Sequence, residues 1–400
     1  MKNVRSSRSK KVLIFETHPI QYRSPIYRRL EEIRPSACHV VYASDYSLRG
    51  GLDHQFAQEI TWDNDLLAGY NYTIIDNNIS RAPTKWFELR GSGIAAIYDQ
   101  MSPDAVLLNS LQFSFDFVAY IEALIRGIPV WLRCETQDFA FQRSLFKSYI
   151  RSTYYKILYS GIQLAFPIGI LNRKHLLSHG FRSYQLMDAH YACPNPSEHL
   201  SLKDKKDRRR KIRRLLHIED NQFMVSFFGK LIPKKDPGLL YSALKYIEWN
   251  YLGSYVFAFI GNGVLKDELQ AKAYEAMVNY GVRTIFPGFI NQSVILEWYL
   301  ASDIVVLPSR RFGETWGLVV NEALYAGCSV VITDCVGCSA DFKDMERVRV
   351  IPESSEEALA KAIQELSSYS RCFEWSEAFM SNYSIDSIAT TYARAFDRLE

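Results

Sequence analysis

The sequence lacks any long hydrophobic run. No window reaches the roughly 18 apolar residues that a membrane-spanning helix needs. The apolar run nearest the N-terminus, VLIF at 12–15, is too short for the core of a signal peptide and is better interpreted as a first strand. We therefore expect a soluble, cytoplasmic protein.

Cysteines at metal-ligand spacing are also scarce. The chain has seven cysteines, an odd number, and one CxxC pair, Cys335 with Cys338. Two cysteines cannot close a tetrahedral zinc site, and no metal-ligand cluster is visible elsewhere in the sequence. Ordinary reduced thiols in a reducing compartment are expected, with no metal and no other cofactor.

The sequence also lacks a large excess of positive or negative charge. The formal net charge is only +3, which argues against a nucleic-acid-binding protein. The positive charge is concentrated in 203–214 (KDKKDRRRKIRR), which holds nine basic and two acidic residues. This composition is typical of either a linker or an exposed helix.

What the sequence does contain is a repeated α/β pattern. Its 400 residues are 48% hydrophobic, which is enough for two buried cores. Near-continuous apolar runs separated by helical patterns indicate parallel sheets covered on both faces. The strand candidates are 11–16, 38–43, 104–109, 128–132 and 162–166, then 223–228, 255–260, 282–286, 304–307, 329–333 and 347–351, with helices in the second half at about 237–249, 264–280, 292–301 and 317–327.

This order predicts two doubly wound, Rossmann-like domains, with the boundary in 194–214. Ligands of open α/β sheets bind beyond the carboxyl ends of the strands, so the site is expected in a cleft between the domains. We assign 1–200 and 201–383 to the two domains.

The most informative segment is 312–327, FGETWGLVVNEALYAG. Glu314 lies in a glycine-containing loop, a helix is predicted to begin directly after that loop, and Glu322 lies inside the helix. Carboxylates accept hydrogen bonds from paired sugar hydroxyls, whereas a helix N-terminus favours phosphate. One short segment thus suits both halves of a nucleotide-sugar, although a solvated loop carboxylate and an exposed helix charge are the simpler alternative.

Two further loops follow strand candidates. The first, GKLIPKKDP, begins at Gly229 and contains Lys230 and Lys235, with Lys234 as a neighbouring alternative; these cations would suit a diphosphate. The next, FIGNG, contains Gly261 and Gly263. Surface lysines and simple turns explain each of these loops equally well when it is taken alone.

In combination, the ordered segments GKLIPKK, IGNG, FPGF, ASDIVVLPS and ETWGLVVNEALYAG resemble the C-terminal domain of retaining glycosyltransferases with the GT-B fold, family 4 (group 1). The resemblance covers roughly 210–345. Segments 16–30 and 60–72 are more loosely similar to the N-terminal half of a bacterial branch of that family.

The resemblance implies a role for each charged residue. Lys230, in place of the usual arginine, and Lys235 would hold the donor diphosphate, Lys230 without the planar fork of arginine. Glu314 would hold hydroxyls of the transferred sugar, and Glu322 the ribose diol.

It also implies how the donor is enclosed. The backbone at Gly317, Leu318 and Val319 would face the phosphates. Trp316 would shape the sugar pocket, and Phe289 would mark the beginning of the nucleobase pocket.

The N-terminal half leaves more open. His18 follows the first strand, in the loop expected to border the cleft, where a structural and a catalytic role are both open. Segment 107–115 lacks the histidine that many family members carry after a later strand. Arg133 and Glu135 could either contact the acceptor or form an internal ion pair.

The resemblance implies sugar transfer with retained anomeric configuration and without a dedicated general base. Because two lysines and a helix N-terminus can replace a cation, we expect activity without a divalent metal. A UDP-sugar is favoured as donor and a GDP-sugar is the alternative; the acceptor would be a hydroxyl of a glycan, a lipid-linked sugar or a small metabolite. A nucleotide-sugar epimerase of the same architecture and a non-catalytic nucleotide-sugar-binding protein are the rival interpretations.

Two helical patterns complete the predictions. Segment 143–159 is basic and aromatic, which is typical of a helix on an anionic membrane or of one packed on a sheet, so peripheral membrane contact remains open. The last pattern, about 384–398 within 384–400, is expected to cross back to the first domain, as in the family it resembles.

Overall fold

The structure, a computed structural model, describes residues 10–49, 51–53, 58–60, 65–75, 79 and 81–399. Residues 61–64 of the segment 60–72 singled out above lie outside the described residues. The described chain forms two α/β domains, each built on a six-stranded sheet. The predicted fold class is confirmed.

The N-terminal sheet is parallel throughout and has the order β5-β2-β1-β6-β7-β8. A two-stranded antiparallel unit, β3 with β4, is separate from it. The strands are β1 (Val12–Glu16), β2 (Cys38–Tyr42), β3 (Gly51–Asp53), β4 (Gln58–Ile60), β5 (Tyr72–Ile74), β6 (Ala105–Leu108), β7 (Val130–Leu132) and β8 (Leu164–Ala165).

The C-terminal sheet repeats this topology with the order β11-β10-β9-β12-β13-β14, again parallel. Its strands are β9 (Phe223–Phe228), β10 (Tyr255–Ile260), β11 (Arg283–Gly288), β12 (Ile304–Leu307), β13 (Ser329–Thr333) and β14 (Val348–Ile351). Every side chain of β10 and β12 is buried, because helices cover both faces of the sheet.

Helices connect the strands of both domains. They are α1 (Ser24–Ile33), α2 (Ile94–Met101), α3 (Ser114–Ile125), α4 (Leu145–Tyr159), α5 (Ile170–Ser178), α6 (Leu202–Leu215), α7 (Leu239–Ala243), α8 (Trp249–Leu252), α9 (Lys266–Tyr280), α10 (Ile295–Ala301), α11 (Leu318–Tyr325), α12 (Ser339–Phe342), α13 (Glu356–Leu366), α14 (Glu377–Met380) and α15 (Ile385–Ala395). Short 3-10 turns lie at Ser183–Gln185, Pro233–Lys235, Leu244–Tyr246, Ser381–Tyr383 and Phe396–Leu399.

The strand orders define where ligands can bind. In each sheet the direction of winding reverses between two central strands, β1 and β6 in the first and β9 and β12 in the second. The loops that leave the carboxyl ends of these strands diverge and open a crevice. Two crevices of this kind face each other across the interface between the domains.

Two expectations about helices need correction. The single helix predicted over 237–249 is interrupted, because Ile247 and Glu248 adopt extended backbone conformations between a 3-10 turn and α8. The basic run 203–214 is a helix, α6, which begins at a capping box formed by Ser201 and Asp204. It is not wholly exposed, because Arg213 is buried.

Ion pairs hold helix α6 against the rest of the C-terminal domain. The carboxylate of Asp303 accepts hydrogen bonds from Arg209 at 2.5 Å and from Arg213 at 3.0 Å. These contacts direct two of the basic side chains toward the protein, so composition alone overstated the positive surface of this segment.

The last helix, α15, packs on the N-terminal domain. Ile388, Tyr392 and Phe396 belong to the same hydrophobic core as residues of β1 and β2. At the periphery Arg29 of α1 donates to Asp386 at 2.7 Å. The end of the chain therefore lies against the first sheet, although the strands before it belong to the second.

No helix among the described ranges is long and apolar enough to span a bilayer.

Candidate active site

A cavity of about 380 Å³ lies between the domains at the carboxyl ends of β9, β10 and β11. Its walls come from the loop after β1 on one side and from the C-terminal domain on the other. Seven of the residues singled out in the sequence line it: His18, Gly229, Lys230, Gly261, Phe289, Val319 and Glu322.

Glu322 is a buried carboxylate on the wall of this cavity. Only 4% of the residue is exposed. Tyr299 donates a hydrogen bond to one carboxylate oxygen at 2.7 Å, and Gln292 donates to the other at 3.0 Å. Burial raises the pKa of Glu322, and these two hydrogen bonds oppose the rise. The carboxylate is thus held in a fixed orientation toward the cavity.

Three glycines allow the loops of this site to approach one another. Gly229, Gly261 and Gly263 all have φ angles between 138° and 154°, a region that side-chain-bearing residues rarely adopt. A Cβ atom on Gly261 would lie 1.9 Å from the carbonyl oxygen of Gly229. Gly263 is packed in the same way on Leu231 and supports the loop without lining the cavity.

The N-terminus of α11 points toward the site. Gly317 precedes the helix with a φ angle of 103°, and Leu318 is its first residue. Val319, one residue further on, lines the cavity. The unpaired N–H groups of this first turn give the end of the helix a partial positive charge.

The position of Trp316 does not support the prediction that this residue shapes the sugar pocket. Its indole is 3% exposed and does not line the cavity. The ring stacks on Tyr191, and its N–H group donates to the side chain of Asn321 at 2.8 Å. Trp316 therefore belongs to the core where the two domains meet.

Lys235 and Glu314 are paired beside this cavity and do not line it. The Nζ atom of Lys235 lies 2.5 Å from a carboxylate oxygen of Glu314. The neighbouring Lys234 donates to the carbonyl oxygen of Gly313 at 3.0 Å, and burial lowers its pKa. The loop after β9 is thus joined to the loop after β12 at the reversal point of the sheet.

A second cavity, of about 420 Å³, adjoins the first through His18 and Ile20, which line both. It lies in the N-terminal domain at the carboxyl ends of β1, β6 and β7. Asn109 and Glu135 are among its polar lining residues. The buried Oδ1 atom of Asn109 has no hydrogen-bond partner among the described residues.

The charged side chains at the second cavity form one connected series of ion pairs. Arg23 pairs with Glu16 at 2.6 Å and with Glu135 at 2.8 Å, and Arg133 approaches Glu135 at 3.3 Å. The internal ion pair considered for Arg133 and Glu135 is therefore present. Glu135 also lines the cavity, whereas Arg133 stacks on Tyr191 behind it.

His18 is held between the two cavities. Its Nδ1 atom is 2.8 Å from the hydroxyl of Thr17, and its Nε2 atom is 3.0 Å from the hydroxyl of Tyr46. Burial, assisted by the positive charge of Arg23, lowers the pKa of His18 to about 3. The imidazole is accordingly neutral at physiological pH. One of its ring nitrogens donates a hydrogen bond and the other accepts one, with these hydroxyls or with a ligand as partners.

Several lining residues gave no signal in the sequence. Tyr299 lies in α10 and Gln292 in the loop before that helix, and both donate hydrogen bonds to Glu322. The apolar helical pattern of α10 gives no indication that its tyrosine contacts a carboxylate. Arg23 lies in an ordinary basic stretch. Their positions depend on how separate elements pack, which local patterns do not encode.

The domains also meet through two loops. Gly313 donates its backbone N–H to the carbonyl oxygen of Ala140 at 2.9 Å, and Phe141 forms an isolated bridge with Phe312. Gln137 donates to the carbonyl oxygen of Glu314 at 3.4 Å. The loop after β7 thus contacts the segment that carries Glu314.

Comparison with known proteins agrees with this architecture. Residues 208–378, less than half of the chain, match the family model described as glycosyl transferases group 1. The chain is 30% identical over 143 residues to an uncharacterized glycosyltransferase of Methanocaldococcus jannaschii, covering 36% of this chain and 35% of that protein.

It is also 32% identical over 125 residues to the UDP-Gal:alpha-D-GlcNAc-diphosphoundecaprenol alpha-1,3-galactosyltransferase of Escherichia coli, covering 31% of each chain. The matches thus span about a third of the length of these curated relatives.

Among solved structures, Anabaena HepE in complex with UDP and glucose superposes with a TM-score of 0.63. The alignment covers 97% of this chain and 99% of that one at 14% identity. The two proteins share the fold, and the expected GT-B architecture is confirmed. A shared fold does not by itself specify a reaction.

Proposed function

We propose that the chain is a glycosyltransferase that moves a sugar from a nucleotide-diphosphate sugar to a hydroxyl acceptor. The observation that carries this proposal is Glu322, a buried carboxylate turned toward a cavity that also holds Lys230. Each carboxylate oxygen of Glu322 already accepts one hydrogen bond, from Tyr299 or from Gln292, and retains a second lone pair for a ligand. The paired hydroxyls of a ribose would donate hydrogen bonds to these lone pairs.

The surroundings of Glu322 support a diphosphate next to that ribose. Gly229 and Gly261 bring backbone close to the cavity, and Lys230 adds a cation at its wall. The first turn of α11 contributes partial positive charge. Phe289 offers an apolar surface for a nucleobase, and we favour uracil over guanine.

The pair of Lys235 and Glu314 would serve the transferred sugar. In the free enzyme each residue neutralises the other at 2.5 Å. On donor binding, Glu314 would accept hydrogen bonds from sugar hydroxyls while Lys235 offsets charge on the departing diphosphate. We propose that the leaving phosphate takes the acceptor proton on the same face, so that the anomeric configuration is retained and no divalent metal is needed.

The acceptor would occupy the second cavity. It adjoins the first cavity at His18, and Glu135 and Asn109 are among the residues that line it. Neutral His18 would orient the acceptor hydroxyl through a hydrogen bond and would not carry charge. Sugar hydroxyls can donate hydrogen bonds to acceptors such as the Glu135 carboxylate and accept them from neutral donors, so they suit this cavity.

We further propose a lipid-linked acceptor, carried at the surface of a membrane. The outer face of α4 exposes Leu145 (91%), Phe146 (73%), Tyr149 (73%) and Ile157 (71%), an unusual concentration of large apolar side chains. Lysines on the same helix, Lys147 and Lys156, would attract anionic headgroups. The Escherichia coli relative is named for a diphosphoundecaprenol-linked acceptor.

The donor is tested by thermal unfolding in the presence of UDP, GDP and ADP and of their sugars. A bound nucleotide stabilises the fold by mass action, so the acceptor need not be known. UDP and one UDP-sugar are expected to raise the melting temperature most. Absence of a shift with every nucleotide would contradict the donor site.

The reaction is tested by following nucleotide release with and without a polyprenyl-diphosphate-linked sugar. We expect release to depend on the acceptor, to survive a chelator, and to give a product with the donor's anomeric configuration by NMR. Conversion of the donor to an epimer without any acceptor would instead establish the rival epimerase.

Membrane contact is tested by co-sedimentation with vesicles rich in anionic lipid. The double substitution of Leu145 and Phe146 by serine is expected to weaken binding about tenfold or more. The matched control replaces Tyr274 and Met277, exposed by 75% and 54% on α9, by serine. Equal binding by both variants would argue against α4 as the contact.

A further inference from the structure

The observation behind this inference is a cluster of Asp138, His175 and His179 outside both cavities. Asp138 lies in the loop after β7, whereas the histidines are four residues apart at the end of α5. One ligand atom from each residue lies within 4.8 Å of the other two. The sequence concealed this grouping, because Asp138 and His175 are 37 positions apart.

We propose that these three side chains form a binding site for a divalent transition metal of the Zn²⁺ type. Two imidazoles and one carboxylate are a donor set that Zn²⁺ takes with tetrahedral geometry. Metal–ligand bonds of about 2.0–2.1 Å place neighbouring ligand atoms of a tetrahedron about 3.3–3.5 Å apart.

The free site already approaches that spacing. The Oδ2 atom of Asp138 lies 3.1 Å from Nδ1 of His175 and 3.2 Å from Nε2 of His179. Both histidines are buried, with 1% and 6% of the residue exposed, whereas the side chain of Asp138 is 36% exposed. The exposed side would let a water molecule complete the coordination.

Neighbouring side chains orient His175 and Asp138, whereas the buried Nδ1 atom of His179 has no hydrogen-bond partner among the described residues. The Nε2 atom of His175 lies 3.0 Å from the hydroxyl oxygen of Tyr159, which can accept a hydrogen bond from the Nε2–H group when Nδ1 binds the metal. Arg151 pairs with the Oδ1 atom of Asp138 and leaves Oδ2 for the metal. Tyr155 packs its ring against both imidazoles.

The expected consequence is a fixed loop after β7. Asp138 lies between Gln137 and Ala140, which contact the segment of the C-terminal domain that carries Glu314. A metal bound to α5 and to this loop would hold the loop against that segment. The metal would not touch the donor, since none of the three ligands lines either cavity.

The test uses the full chain after removal of metal by a chelator. Added Zn²⁺ is expected to raise the melting temperature by about 3 °C or more, with one equivalent bound per chain. Co²⁺, used as a spectroscopic probe, should give the visible absorption of a site with nitrogen ligands. Hydrogen exchange at the amide of Gly313 should slow on Zn²⁺ addition.

Two variants and a control make the result specific. Asp138→Asn and His179→Gln should abolish the Zn²⁺ shift and the Co²⁺ absorption, while metal-free melting shows that each variant folds. His199→Gln, at an exposed histidine, should retain both signals. The proposal is overturned if the native chain shows no shift, or if both site variants keep it. None of these measurements involves a sugar donor, so the outcome is independent of the proposed function.

Discussion

The ammonium group of Lys235 lies 2.5 Å from the carboxylate of Glu314, and this pair joins the loop after β9 to the loop after β12. These are the two strands between which the winding of the C-terminal sheet reverses. The side chains are largely shielded, with 17% and 12% of their surfaces exposed. A donor that enters here would find an anion for its sugar and a cation for its diphosphate already in place.

The first prediction concerns this pair. Glu314→Gln and Lys235→Met should each lower turnover about a hundredfold, because each removes one charged contact to the transition state. The double variant should lose much less than the sum of the two effects, since the residues act as a unit.

Steady-state kinetics with the nucleotide-sugar that the thermal-unfolding screen selects provide the measurement for this pair. Lys361→Met, at an exposed lysine of α13, is the matched control and should leave turnover unchanged. Strict additivity of the two single effects would show that the residues act separately.

The second prediction concerns the close approach of two glycines. Gly261→Ala should destabilise the chain by about 2–4 kcal/mol, because its Cβ would meet the Gly229 carbonyl oxygen at 1.9 Å in a backbone conformation with φ of 146°. Nucleotide binding should fall with it, since the same loops wall the cavity that we propose for the donor.

Melting temperatures with and without nucleotide measure both effects. Gly253→Ala is the control, because its φ angle is −66° and, among the described residues beyond its own chain neighbours, no atom lies within 4 Å of the added Cβ. A Gly261→Ala protein with native stability and native nucleotide affinity would contradict the account of this loop.

Most strands of the two sheets were predictable, because strands buried on both faces are near-continuous apolar runs. The edge strand β5 (Tyr72–Ile74) was missed, because its residues are only partly buried and form no such run. The bounds of β9 and β10 agree with the predicted 223–228 and 255–260. The helix predicted over 237–249 was wrong, because helical periodicity does not reveal the extended backbone at Ile247. The hydrophobic pattern of the sequence thus predicted the strands better than it predicted the interruption within a helix.

The candidate site was predictable only in part. Glu322 and the glycine loops were recognisable as local patterns, and the structure brings Glu322, Gly229 and Gly261 to one cavity. The partners of Glu322 were not recognisable, because Tyr299 reaches it from another helix. The position of Trp316 was also missed, since a large aromatic residue near a loop fits a pocket and a core equally well.

The third prediction concerns pH. Asp341 accepts a hydrogen bond from the backbone N–H of Ile170 at 3.1 Å across the domain interface, and burial raises its pKa to about 7. A carboxyl whose pKa is higher in the folded than in the unfolded chain stabilises the fold at low pH. That stabilisation is lost as pH rises from about 4 through about 7.

The difference in melting temperature between the native chain and Asp341→Asn should therefore depend on pH. The advantage of the native chain over the variant should shrink by about 5 °C or more between pH 4 and pH 8. Asp344→Asn, at an exposed aspartate nearby, is the control and should follow the native chain. A constant difference between the native chain and Asp341→Asn would mean that Asp341 does not titrate in this range.

The central claim is that Glu322 holds the ribose of a nucleotide in the cleft. Calorimetric titration with UDP and with 2′-deoxy-UDP tests it most directly, in the native chain, in Glu322→Gln and in the exposed control Glu346→Gln. We predict that the native chain and the control prefer UDP about tenfold or more, and that Glu322→Gln binds UDP about 10–100-fold more weakly and loses this preference. Equal affinity of the native chain for both nucleotides, or a preference that survives in Glu322→Gln, would contradict the account.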